Sequence, residues 1–357
     1  MLNWLLIFVP GAIVLEHLAP QHHLLVFLAA ALAILPLAGW MGYATEQLAE
    51  KTGEGLGGLL NATFGNAAEL IIALAALSAG LHDVVKASIA GSIVGNILLV
   101  LGAAMLAGGL RHSEQHFNAS GARSQATLLT LAAIALIVPA AYKSAVGTRF
   151  PEGLGFFSVS ISVVLLVVYA LFLVFSLITH KSLFSGSYEP GSGEGRSAPC
   201  PVSKSVLILA TSTVAIAWVS EILVSVIEPA AHEFGLSNVF VGVFIVAILG
   251  NAAEHSTAIS AAMKNRMDLS LSIAIGSSVQ VALFVAPVLV LASLFMGPTP
   301  MDLAFSGGLV LTVLLSVLIT GQVAGDGRSD WLKGVQLLAV YLILGLAFFF
   351  MPSAPTS

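Results

Sequence analysis

Long apolar runs separated by short polar breaks make up most of this chain. A membrane-crossing helix needs about 20 predominantly apolar residues. The runs divide into eleven such segments: 2–19, 24–44, 57–80, 84–109, 124–142, 155–179, 205–227, 236–262, 269–296, 301–322 and 331–351. The longest polar stretch, "KSLFSGSYEPGSGEGRSAPCPVSKS" from Lys181 to Ser205, is rich in Gly, Ser and Pro and reads as a flexible connector. It divides five segments, the second to sixth, from five more. The first segment, "MLNWLLIFVPGAIVL", has no basic region ahead of it and no evident small-residue cleavage site, so it reads as a retained helix and not a signal peptide.

Composition narrows the class. Of 357 residues, 58% are hydrophobic and 9% charged, against about 25% charged in ordinary soluble domains. The expected fold is an all-α polytopic membrane protein with 11 transmembrane helices. The net charge of −5 implies no nucleic-acid partner. The single cysteine, Cys200, excludes an intrachain disulfide and a cysteine-rich metal site. With eleven spans, ten of the thirteen Lys and Arg residues fall on one side, and Lys86, Lys143 and Arg149 on the other. The positive-inside rule then puts the N-terminus and the connector in the cytoplasm and the C-terminus outside, in a plasma (inner) membrane.

Two of the eleven segments carry the same pentapeptide. Gly65, Asn66, Ala67, Ala68 and Glu69 recur as Gly250, Asn251, Ala252, Ala253 and Glu254, an offset of 185 residues. The same ungapped shift places Asp83 on Asp268, Gly91 on Gly276 and Ser92 on Ser277, with 13 identities in the 36 positions from 65 to 100. Five helices per half is an odd number, so the second copy enters the membrane in the opposite direction. The expected organisation is an extra N-terminal helix (1–22), a first five-helix repeat (23–180, with its motif region at 57–109), the connector (181–204), a second, inverted repeat (205–351, motif region 236–296) and a tail (352–357). Inverted repeats are the construction of many secondary transporters.

A glutamate inside hydrocarbon is expensive and points to function. Asn66 and Glu69 lie three apart on one helix face, as do Asn251 and Glu254. The alanines between them allow close helix crossing, and Gly65 and Gly250 are expected to bend the helix or free a carbonyl. If the repeats meet at the midplane, the two glutamates and two asparagines form a cage of hard oxygen ligands. Ca2+ takes 6–8 oxygens in flexible geometry, whereas Mg2+ demands a tighter octahedron. Zn2+ would prefer His or Cys, and only His255 is near. Ser92 and Asn96, four apart, and Ser277 and Gln280, three apart, could line the same cavity. Two ionised glutamates are neutralised by one Ca2+ or by two protons. A carrier of this kind exchanges Ca2+ for two or more H+, and His255 could carry a further proton.

These residues carry a resemblance. "GNAAELIIAL" and "GNAAEH", with the following stretches "KASIAGSIVGNILLVLG" and "IAIGSSVQVALFVAPVLVL", resemble the two alpha-repeat signatures of the cation/proton exchanger (CAX-type Ca2+/H+ antiporter) family, within the Ca2+:cation antiporter superfamily. The likeness spans essentially the whole chain. It implies a Ca2+/H+ antiporter, not an enzyme, with Glu69 and Glu254 as the central Ca2+ and proton carriers. Around them it implies His255, Asn66, Asn251, Ser92, Ser277 and Gln280. Ca2+ is the transported substrate and no cofactor is expected; whether the chain is a monomer or a homo-oligomer stays open. One departure is that the connector holds only Glu189 and Glu194 where eukaryotic members often carry an acidic stretch.

Other readings stand beside this one. A Na+/Ca2+ exchanger would share the fold, although its repeats are usually richer in hydroxyls. A Ca2+ channel would need an open path. His255 could simply donate to a backbone carbonyl, and Ser92 and Ser277 could be packing residues. Asp83 and Asp268 are expected to cap helices. Glu221 and Glu228 suit either an outer cation vestibule or an interface, and Glu46, Glu50 and Glu54 a solvated face.

Overall fold

The computed structural model describes residues 3–146, 151–180, 183 and 201–350. Most of the connector, with Glu189, Glu194 and Cys200, lies outside these, as do Arg149, the Glu54 side chain and the tail. Nine helices among the described residues are long and apolar enough to cross a membrane. In chain order they are the stretch His23–Thr52 of α2 (His23–Phe64), then α4 (His82–Gly109), α5 (Ala119–Val146), α6 (Gly153–Thr179), α7 (Val202–Glu233), α8 (Asn238–Met263), α9 (Met267–Ala292), α10 (Gly307–Gly325) and α11 (Trp331–Phe349). Two shorter apolar helices, α1 (Asn3–Leu18) and α3 (Ala67–Ser78), complete the set. All fall, in order, on the apolar segments expected from the sequence.

α2 is 42 residues long and cannot be straight. A Cβ placed on Gly57 would overlap the carbonyl oxygen of Ala49. Eight residues of straight helix would separate the two by about 12 Å, so the chain doubles back between them. Its last turns, 57–64, therefore belong with α3, and Gly57 is the residue that permits the tight return.

Burial sorts the helices. α4 and α9 are the most enclosed, while α6 and α11 present most of their apolar side chains outward. α2 packs along α7, α5 against α10, and α11 against the end of α4, around a centre formed by α3, α4, α8 and α9. Small residues allow these approaches. Gly102 and Gly334 face each other where α4 meets α11, and a Cβ on Gly334 would lie 2.6 Å from the Gly102 carbonyl oxygen.

The basic residues separate between the two ends of the bundle. At one end Lys86, buried in α4, donates to Asp302 at 2.5 Å and to the Ala304 carbonyl at 3.1 Å, and Lys143 lies 3.6 Å from the other Asp302 oxygen. At the opposite end a two-stranded ribbon pairs β1 (Gln115–His116) with β2 (Arg328–Ser329), and Arg123 donates to the Gly325 carbonyl at 2.6 Å.

Asp83 and Asp268 do not cap their helices. Both lie in the first turn, and the Asp268 carboxylate instead accepts from the backbone N–H of Asn118 at 2.6 Å, tying α9 to the start of α5. Caps are supplied by Asp330, which accepts from Leu332 and Lys333, and by Ser237, which accepts from Phe240. Glu46 and Glu50 are exposed, as a solvated face requires, and Glu228 accepts from Asn238 at 3.1 Å.

Candidate functional site

The two pentapeptides adopt different backbones. α2 ends at Phe64, Gly65 and Asn66 break the ladder, and α3 starts at Ala67, which puts Glu69 in its first turn. The helix N-terminus there favours a negative side chain. Gly250, by contrast, does not mark a bend: α8 runs unbroken through it, and the irregularity lies a turn earlier, in a π-helical stretch at Val241–Val246. That stretch is held against α4, which keeps the helix continuous.

α4 and α9 also widen into π-helix just past their serines, at Gly95–Val100 and Val281–Val285. The wider turn re-aims side chains and strands backbone carbonyls. Hydroxyls from neighbouring helices take two of them: Ser278 donates to the Ile93 carbonyl at 3.2 Å and Thr320 to the Ile97 carbonyl at 3.4 Å. Reading the sequence missed Ser278, Thr320 and the π turns. Only their burial inside spans, among apolar neighbours, could have singled out the two hydroxyls.

The predicted residues converge. Asn251 donates through Nδ2 to Glu69 Oε2 at 3.3 Å and to Ser92 Oγ at 3.1 Å. Ser277 donates to Asn66 Oδ1 at 3.0 Å. Asn96 donates to Ser277 at 3.1 Å and accepts on Oδ1 from His255 Nε2 at 3.1 Å, which fixes that ring nitrogen as the protonated one. The contacts come in pairs related by the 185-residue offset: Asn251 with Ser92, and Asn66 with Ser277. The glycines follow suit. A Cβ on Gly65 would lie 3.4 Å from Glu254 Oε1 and 3.5 Å from Gln280 Oε1; one on Gly250 would lie 3.2 Å from Glu69 Cβ. Ser92 and Ser277 thus hydrogen-bond within the cluster and do more than pack, and His255 donates to the side-chain oxygen of Asn96 and not to a backbone carbonyl.

The centre is buried and short of partners. Asn66, Ser92, Asn96 and Asn251 are each 1% exposed and Glu69 2%. Glu69 Oε1, Glu254 Oε2 and Asn251 Oδ1 find no hydrogen-bond partner among the described residues, nor does Asn66 Nδ2. Among the described residues no ion pair joins a Lys or Arg to Glu69 or Glu254; Lys86, Lys143 and Lys333 pair elsewhere. Buried carboxyls without a basic partner require a cation or protons. Three unpartnered oxygens, two of them carboxylate, suit a hard cation.

The family model described as sodium/calcium exchanger protein matches residues 22–178 and again 204–350. The chain belongs to that family. Among relatives of this exchanger-family chain, a Ca(2+)/H(+) antiporter of Aphanothece halophytica is 48% identical over 98% of this chain and 96% of the relative. The Ca(2+)/H(+) antiporter ChaA of Bacillus subtilis is 41% identical over 91% of this chain and 92% of its own length. Native YfkE superposes with a TM-score of 0.84 at 37% identity, covering 97% of this chain and 98% of that one. The H+/Ca2+ exchanger CAX, at 16% identity and a TM-score of 0.71, shares the fold. The family resemblance expected from the paired GNAAE motifs is borne out.

Proposed function

We propose that this chain is a secondary antiporter that exchanges Ca2+ for H+ across a membrane by alternating access. Glu69 and Glu254 bind either the metal or protons near the midplane. One observation carries the reading: two buried carboxyls converge with no basic partner, each keeping an unpartnered oxygen, beside the free oxygen of Asn251. Ca2+ neutralises both glutamates, and so do two protons. The empty, doubly ionised site is the costly state, so it resists crossing the barrier, and the two cargoes travel in opposite directions. Asn66, Ser92, Asn96, Ser277 and Gln280 hold the carboxyls and amides in place. The relatives, Ca(2+)/H(+) antiporters, support the same cargo pair.

The architecture proposed with it is eleven spans, one extra helix followed by two inverted repeats. Its support is the offset-related contacts and the family model's match to each half. The end carrying Arg111, Arg123, Arg328 and Lys333 is taken as cytoplasmic. The test is uptake of radioactive Ca2+ into vesicles holding the purified chain. Uptake should require an opposing proton gradient and persist when Na+ is replaced by a large organic cation. Uptake that depends on a Na+ gradient and ignores pH would assign the chain to Na+/Ca2+ exchange instead.

A further inference from the structure

Gly276 lies inside α9, where nothing in this structure calls for a glycine. A Cβ there would meet one atom within 4 Å among the described residues, Gln125 Nε2 at 3.6 Å, an ordinary contact. Glycine weakens a helix interior relative to alanine. The residue 185 positions earlier shows what such a glycine is for. Gly91 in α4 is covered by the backbone of α8. A Cβ there would overlap the Val243 carbonyl oxygen and stand 2.5 Å from its Cα. Gly242 completes the fit from the other side, since its own Cβ would lie 2.6 Å from Ala87 Cβ and 3.0 Å from the Val84 carbonyl oxygen. The stripe Val84, Ala87, Ser88 and Gly91 follows i, i+3, i+4, i+7 spacing on one helix face and is buried.

The counterpart stripe in α9, Leu269, Ser272, Ile273 and Gly276, is half-exposed. The counterpart of Val243 is Gly58, and it stands elsewhere: a Cβ on it would lie 2.6 Å from Leu177 Cδ2 in α6. The segment 57–64 is also the one set off by the break at Gly65 and Asn66, whereas α8 continues without a break from its seat on α4 through Gly250. The α4 stripe on the Lys86 side is therefore covered by α8, while its counterpart on α9, on the Arg123 side, is left half-exposed.

We infer that Gly276 is the seat on which the backbone at Gly58 closes the Arg123 end, as Val243 now sits on Gly91, so that Gly276 is a positioning residue for the step that reorients the loaded site. This rests on the exchange reading above and adds the contact that completes the cycle. The counterpart geometry puts Gly57 against Leu269 and Ser272 in that second state.

Two measurements test it. Gly276→Ala introduces a Cβ for which this conformation has room and the closed one does not. Its melting temperature in detergent should stay within about 2 °C of the parent or rise. Ca2+ binding should stay within about threefold, while the maximal exchange rate falls about tenfold or more without a rise in the half-saturating Ca2+. Turnover equal to the parent's would overturn the inference, and so would loss of folding or of Ca2+ binding, which would make the glycine a need of the present state. The second measurement uses cysteine pairs in a Cys200→Ser chain in vesicles, probed with a short thiol crosslinker. Gly58→Cys with Leu177→Cys should trap the present arrangement, and Gly58→Cys with Ile273→Cys, on the same stripe and leaving Gly276 bare, the other. Trapping of the Leu177 pair alone refutes the seat. Trapping does not depend on which ion is carried, so a chain that crosslinks both ways yet shows no proton-driven Ca2+ uptake keeps the seat and loses the exchange reading.

Discussion

Glutamine at position 69 separates the fold from the site. Glu69 is 2% exposed, its Oε2 accepts from Asn251 at 3.3 Å, and its Oε1 has no partner among the described residues. In Glu69→Gln the amide oxygen keeps the Asn251 hydrogen bond, and an NH2 group replaces Oε1. One buried unpaired polar group replaces another, so the metal-free protein should change in stability by about 1 kcal/mol or less. Ca2+ meets a different situation. It loses one of two formal negative charges, and the atom facing it turns from a lone-pair donor into an N–H. A ligand at a hundred times its dissociation constant stabilises the folded state by about 2.7 kcal/mol. The parent should therefore unfold at a higher temperature as Ca2+ is added, and the variant should show no such rise at the same concentrations. Thermal unfolding in detergent with a Ca2+ titration reads both quantities, and vesicle uptake should be abolished in parallel. A variant that keeps the parent's Ca2+-dependent rise would refute the assignment of Glu69 as a ligand. One that unfolds much earlier even without Ca2+ would mean the carboxyl is needed to build the fold.

Other expectations follow from the same geometry. Over the pH range where the metal-free site holds two protons, apparent Ca2+ affinity should fall about a hundredfold per pH unit of acidification, with two protons released per Ca2+ bound; a release below one would exclude shared carboxyls. His255→Gln should lower the proton-to-calcium ratio while leaving Ca2+ binding in place, and an unchanged ratio would restrict His255 to orienting Asn96. Asp302→Ala should cost about 2 kcal/mol or more in thermal stability, because Lys86, 8% exposed, would keep only the Ala304 carbonyl. Adding Lys86→Met should restore most of that loss. Burial disfavours ionised Asp302, but the charge and hydrogen bond of Lys86, helped by Lys143 and the Ala304 N–H, outweigh it and hold the carboxyl below the usual aspartate range. A carboxyl depressed in the folded state stabilises above its unfolded value and loses that contribution as pH falls through its folded one. The clamp's contribution should therefore be present near neutrality and fade below about pH 4.

The apolar helices and the pairing of the two motifs were legible because each is written in composition and in literal repetition. Much of the backbone was not. "GNAAE" breaks its helix at Gly65 and Asn66 and continues one unbroken at Gly250. Identical residues cannot encode both shapes; the difference comes from whether the preceding half-helix is seated on its neighbour. The polar, glycine-rich stretch "EKTGEG" at 50–55 announced a boundary between apolar segments, but composition alone does not give the tight return between Ala49 and Gly57. The π turns have no local signature, since a side chain that fits an α-turn also fits a wider one, and Thr320 becomes informative only once the Ile97 carbonyl is seen to need it. Asp268 looked like a cap because it opens a helix, yet a backbone N–H from another segment claimed it first.

The hydrogen bonds that join Asn251 to Ser92 and Ser277 to Asn66 span 159 and 211 residues of chain. During synthesis, at roughly 5–20 residues per second, the first half waits on the order of ten to forty seconds for the residues that match it. Through that interval Asn66, Glu69, Ser92 and Asn96 are in or near the membrane with their later partners still unmade. The polar seam that serves the finished protein is therefore a liability of its biogenesis. A chain arrested in the connector exposes half of that seam, and this gives membrane quality control a physical mark by which to tell an unfinished copy from a finished one.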